Sequence, residues 1–179
     1  MNLPSNAPAT ALAWSRPLIS VLIVINLVYA AGVSLMFVVS VLPGTILWRA
    51  LQMLPFPEGH RDEIVLGLRA IMLVGVAAAL VVDRVLRLLR AIVDTVRAGD
   101  PFLVVNARRL ETIAWWVLAG EGLRLLIGAV GWAATTGVME IDMEYGFSFA
   151  PWLAVLLLFV LARVFAEGTR MRTDLDGTV

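Results

Sequence analysis

Four apolar runs, at about residues 17–42, 64–82, 112–133 and 149–166, constrain this chain more than any other feature of it. A hydrocarbon layer about 30 Å thick is crossed by about 20 apolar residues rising 1.5 Å each, and all four runs approach or exceed that length. Hydrocarbon offers backbone amides no partner, so only helices or closed barrels satisfy them there. The runs lack the alternation of barrel strands, which leaves helices. The chain is also 60% hydrophobic, with a mean hydropathy of +0.89, beyond the roughly half-apolar composition of soluble domains. The expected class is therefore all-α, an integral membrane four-helix bundle forming one domain over residues 1–179. The first run follows Arg16 as a signal peptide's would. It far exceeds the roughly 7–15 apolar residues of such a signal, so it is read as a retained span.

Every basic residue is an arginine, and their placement sets the expected orientation. The connector at 83–111 is flanked by or carries Arg84, Arg87, Arg90, Arg97, Arg108 and Arg109, whereas the connector at 134–148 has no arginine and carries Glu140, Asp142 and Glu144. Arginine bias puts the first on the cytoplasmic side and the second outside. The other outer connector is 43–63, and both termini then lie inside, with Arg170 and Arg172 in the tail. In residues 43–63, Trp48, Leu51, Met53, Leu54 and Phe56 accompany Pro55 and Pro57. That pattern reads as an aromatic-anchored turn at the outer interface, with a ligand-binding lid as the alternative.

Beyond Asp83 the second run becomes one-sided. At 100° per residue Val85, Leu86, Leu88, Leu89, Ile92, Val93 and Val96 fall on one half of a helix, and Arg84, Arg87, Arg90, Asp94 and Arg97 on the other. Span two is thus expected to continue as a cytoplasmic amphipathic helix to Arg97, with Gly99 as its stop. The arginine face suits anionic headgroups, so membrane lipids are one expected partner. It equally suits an acidic surface on a cytoplasmic protein. Direct nucleic-acid binding is not expected, because the arginines lack interleaved aromatic residues.

Next comes a short polar stretch, Gly99-Asp100-Pro101-Phe102, leading to Asn106 and Arg109. Aspartate is a good N-cap and proline suits a first helical turn, so one helix can end and another begin here. Asn106 offers a further cap before Arg108, and the reversal would fold Phe102 and Leu103 back against the helices. In order and spacing, Gly99-Asp100-Pro101-Phe102, Asn106, Arg109-Leu110, Trp115, Val164-Phe165-Ala166-Glu167-Gly168, Asp174-Leu175-Asp176 and the closing Gly177-Thr178-Val179 resemble the bacterial membrane family DUF2975, whose function is not established. The resemblance implies a four-span protein of the bacterial inner membrane. Many members are encoded beside a small helix-turn-helix regulator, which implies a membrane tether or inhibitor for such a partner. The expected interaction surface comprises Arg84, Arg87, Arg90, Arg97, Asp100, Pro101, Phe102, Asn106, Arg109, Glu167 and Gly168.

Charges inside the spans define a second candidate region. Glu121 and Arg124 lie three residues apart on one face of span three, with Gly120 beside them. Each charge costs about 2.5–3.5 kcal/mol at a bilayer centre, so the two should face inward and neutralise each other. Arg69 is close enough in depth for Glu121 to be shared between Arg69 and Arg124, with Asn26 completing an intramembrane polar cluster. Asp83 should pair with Arg87 or with Arg163. The cluster reads as a helix-packing clamp or as a site for a small ligand, a lipid or a transported solute. Absent cysteine, a single histidine at His60 and no nucleophile–base pair in any span together argue against an enzyme, a haem or a metal centre. No catalytic residue and no cofactor is expected. The function expected is that of a non-enzymatic membrane interaction protein that tethers or regulates a cytoplasmic partner, or serves as an accessory subunit of a membrane complex.

Overall fold

A computed structural model describes residues 7–53, 61–135 and 148–176, and among these there is no strand. Five helices follow in order: α1 (Ala7–Val41), α2 (Ile46–Met53), α3 (Arg61–Arg97), α4 (Val104–Thr135) and α5 (Phe149–Asp176). Four contain stretches long and apolar enough to cross a membrane: Trp14–Val41, Asp62–Arg97, Val104–Gly131 and Phe149–Arg172. Their outer surfaces carry what a soluble helix hides. Leu22, Val28 and Leu35 on α1 and Leu153, Leu156 and Leu157 on α5 are all exposed, as lipid-facing residues are when hydrocarbon is the solvent.

Span two continues as helix to Arg97. α3 is one uninterrupted helix of 37 residues, about 55 Å long at 1.5 Å per residue, well over the roughly 30 Å of hydrocarbon. The expected connector at 83–111 is much shorter than the hydropathy suggested. α4 begins at Val104, eight residues ahead of the apolar run, so only residues 98–103 separate two helices. The tail is likewise helical through Asp176, ten residues past the expected end of span four. In both places polar residues continue a helix beyond the apolar stretch that hydropathy detects. The turn after α1 leads into α2, a short helix where only a turn was expected. Thr45 joins the two: its hydroxyl donates to the Val39 and Leu42 carbonyls at 2.7 and 2.9 Å, and its own carbonyl accepts from the Arg49 amide at 3.0 Å. Pro55, Pro57, His60 and the acidic residues Glu140, Asp142 and Glu144 lie outside the described residues.

The chain divides into two units. One comprises Met1–Ile25, Val82–Leu118 and Ser148–Val179, and the other Asn26–Val81 and Ala119–Phe147. The first unit's core is Ile92, Leu110, Ile113 and Ala162, with Val85, Leu88, Val96, Val117, Leu158 and Phe165 packed against it. Of the seven residues on the apolar half of α3, Val85, Leu88, Ile92 and Val96 meet this core, while Leu89 is exposed. In the second unit Ala79 and Val81 are the buried apolar residues, alongside the buried polar Ser40 and Glu121.

Candidate functional site

The turn between α3 and α4 is held from several directions. α3 ends in a Schellman pattern: Gly99 has φ +87°, its amide donates to the Val96 carbonyl at 3.1 Å, and the Asp100 amide donates to the Thr95 carbonyl at 3.2 Å. Asp100 does not cap α4. Its carboxylate accepts from the Arg172 guanidinium of α5, and the first turn of α4 closes through the Asn106 amide on the Leu103 carbonyl at 2.9 Å. Nor is Asn106 a cap. It is wholly buried inside α4, where its Nδ2 donates to Thr95 Oγ1 at 2.8 Å and to the Pro101 carbonyl at 3.0 Å. Its Oδ1 accepts from Arg109 Nη1 at 3.0 Å, and Arg109 Nη1 also donates to the Ala91 carbonyl at 3.1 Å. One amide thus ties α3, the turn and α4 together, both its donor hydrogens engaged as burial requires.

Phe102 folds back as expected. Its ring lies 5.4 Å from that of Phe165 at 39°, in the range of favourable aromatic pairs. Gly168 gives it room: a Cβ there would sit 3.1 and 3.2 Å from two ring carbons. The resemblance motif of the turn and that of α5 therefore meet through Phe102, Phe165 and Gly168. Sequence reasoning missed Thr95, Arg16 and Arg172 in this region. Arg16 pairs with Asp94 at 3.2 Å, and Asp83 pairs with Arg87 at 2.6 Å, leaving Arg163 unused. The helical period carries the Asp83–Arg87 pair, whereas the two long-range pairs leave no local signature. Arg84, Arg90, Arg97 and Glu167 have no side-chain partner among the described residues.

In the second unit the intramembrane cluster is only partly assembled. Glu121, 5% exposed, takes the Arg124 fork on both oxygens, Nε to Oε2 at 2.9 Å and Nη2 to Oε1 at 2.6 Å. Arg69 does not share it. Its Nη2 donates to the Ser40 carbonyl at the end of α1 at 2.6 Å, and its Nε is buried without a partner. A helix-end carbonyl lacks an intrahelical donor and lies at the negative end of the helix dipole, so it draws a cation, and both oxygens of Glu121 are already taken by Arg124. Asn26 joins neither charge: its Nδ2 donates to the Ala79 carbonyl of α3 at 2.9 Å. Gly120 does face α3, but a Cβ there would meet Val81 at an ordinary 3.5 Å, so the approach does not require glycine. Among the described residues no group of three histidine, cysteine, aspartate or glutamate side chains gathers as a metal site would need.

These features define an all-α protein with four helices able to cross a membrane, braced by polar contacts at one helical turn. The chain belongs to the family described as "Protein of unknown function (DUF2975)", which it matches over residues 8–179. No curated protein and no solved structure matches it.

Proposed function

We propose that this is a non-enzymatic protein of the bacterial inner membrane whose arginine-rich unit faces the cytoplasm and holds an acidic cytoplasmic protein, tethering or regulating it. The observation that carries this reading is the division of labour among charges around the turn. Asp83, Asp94 and Asp100 are each taken by an arginine, while Arg84, Arg90, Arg97 and Arg170 have no carboxylate partner among the described residues. The helices already fix the backbone of these arginines, so binding orders only side chains, and a planar guanidinium fork loses less freedom per hydrogen bond to a carboxylate than an ammonium does. A small helix-turn-helix regulator with an acidic face fits such a surface, as does a subunit of a larger membrane complex. The competing reading, a ligand site around Arg69, Glu121 and Arg124, has less support because both oxygens of Glu121 are already occupied by Arg124.

The test is purification of the full-length tagged protein from its host in mild detergent, beside the double variant Arg90→Glu, Arg97→Glu. A cytoplasmic protein recovered stoichiometrically with the parent and lost from the variant, with both inserted equally, is the expected result. A set of bound proteins unchanged by the reversal overturns the reading.

A further inference from the structure

A groove of about 350 Å³ runs between the start of α4 and the second half of α5. Its apolar wall includes Phe159, Ala162 and Ala166; its charged lining is Arg108, Glu111 and Arg163. We propose that this groove binds one monoanionic phospholipid with a hydroxylated headgroup, such as a phosphatidylglycerol, independently of any protein partner.

Arg163 carries most of the argument. It is an exposed arginine inside a candidate span, and Val160 and Val164 beside it are 55% and 56% exposed, as residues facing lipid are. Neither Asp83 nor Glu167, one turn further along α5, pairs with it, and the three charged groove residues form no ion pair with one another. A guanidinium among lipid-facing aliphatic side chains extends toward the nearest phosphate, and an arginine fork matches a phosphodiester. Arg108 approaches the same groove from α4, so two guanidiniums line one cleft. Glu111 selects the rest of the headgroup. With two arginines and one carboxylate the lining is net +1, which complements a phosphodiester monoanion, and the carboxylate accepts a headgroup hydroxyl. A choline headgroup has no donor for it. An ammonium headgroup makes the lipid neutral overall, so it leaves the net +1 of the lining uncompensated. The depth also fits: Phe159 to Ala166 spans about 10 Å of helix, and Phe159 is backed by Trp115, edge to face with ring centroids 5.5 Å apart. The volume lies at the small end of the roughly 300–1,000 Å³ of ligand sites. It suits a headgroup and the start of one chain, with the remaining acyl carbon in the bilayer.

The experiment is native mass spectrometry of the full-length protein in detergent, titrated with phosphatidylglycerol, phosphatidylethanolamine and phosphatidylcholine of identical acyl chains. One phosphatidylglycerol should be retained, about tenfold more tightly than the other two, and Arg108→Gln and Arg163→Gln should each weaken it about tenfold or more. Ala166→Leu fills the groove from an exposed position without changing charge, and should displace the lipid in a protein of unchanged melting temperature. Arg84→Gln, on α3 and not in the groove's lining, should leave retention as it was. Equal retention of the three lipids, indifference to Arg163→Gln and Ala166→Leu, or an equal loss with Arg84→Gln would overturn the proposal.

Discussion

Asn106 joins α3, the turn and α4 of the first unit through one buried amide. Replacing it by alanine strands the Pro101 carbonyl and removes one of the two acceptors of Arg109. Leaving buried polar groups unpaired costs about 1–3 kcal/mol each, so Asn106→Ala should lower stability by about 3 kcal/mol. Asn106→Asp should not rescue it, because a carboxylate restores the acceptor for Arg109 but places negative charge against the Pro101 carbonyl. Thermal melting in detergent separates these outcomes from a surface role, under which both variants would melt like the parent. Gly168 makes a second prediction at this scale. Alanine there gains about 1 kcal/mol of helix propensity while asking the half-exposed Phe102 ring to shift a few tenths of an ångström, so Gly168→Ala should be close to neutral. Gly168→Val should displace the ring and destabilise, and its cost should shrink in a Phe102→Ala background. Additive costs in that double-mutant cycle would show that the ring and the glycine are not coupled.

Helix ends and helix pairs are where the sequence was read least completely. The four spans and the inward face of α3 were legible, because they rest on length and a 3.6-residue period that tertiary packing reinforces. The start of α4, the end of α5 and the role of Asn106 were not. Hydropathy stops where a helix leaves its apolar stretch, and a buried asparagine beside a turn looks in sequence like a cap. Gly99 was legible as a stop for a physical reason that is itself testable. At φ +87° a Cβ meets no neighbour, so Gly99→Ala should cost about 1–2 kcal/mol through backbone conformation alone, and Gly99→Asn less. The Glu121–Arg124 pair was legible from its spacing, whereas the partner of Arg69 depended on where α1 ends. Glu121→Gln leaves Arg124 without its counter-charge and should destabilise by about 3–5 kcal/mol, while replacing both by leucine should restore most of the loss if the pair is a clamp. A double-leucine variant as unstable as Glu121→Gln would refute the clamp.

At the scale of the whole molecule, charge is partitioned between the two units. The unit containing the turn holds ten arginines against seven carboxylates, and the other holds four arginines against seven. Arginine is retained on the cytoplasmic side of membranes far more strongly than acidic residues are excluded from it, so this asymmetry bears directly on orientation. The absence of cysteine makes the consequence simple to measure. Ala98 lies in the exposed turn after α3, and Met53, 82% exposed, ends α2 in the other unit. A single cysteine at position 98 should react with a membrane-impermeant maleimide only in inside-out vesicles, and one at position 53 only in intact spheroplasts. The opposite pattern would invert the molecule and rule out the proposed cytoplasmic partner for Arg90 and Arg97. The same labelling then separates retention from docking. Changing Arg84, Arg87, Arg90 and Arg97 together to glutamine takes the turn unit from three positive charges in excess to one negative. If those arginines hold the topology, the position-98 cysteine should become reactive from both sides. If orientation survives all four changes, the arginines of α3 are not what sets the topology, and the proposed docking role is the reading of Arg90 and Arg97 that remains.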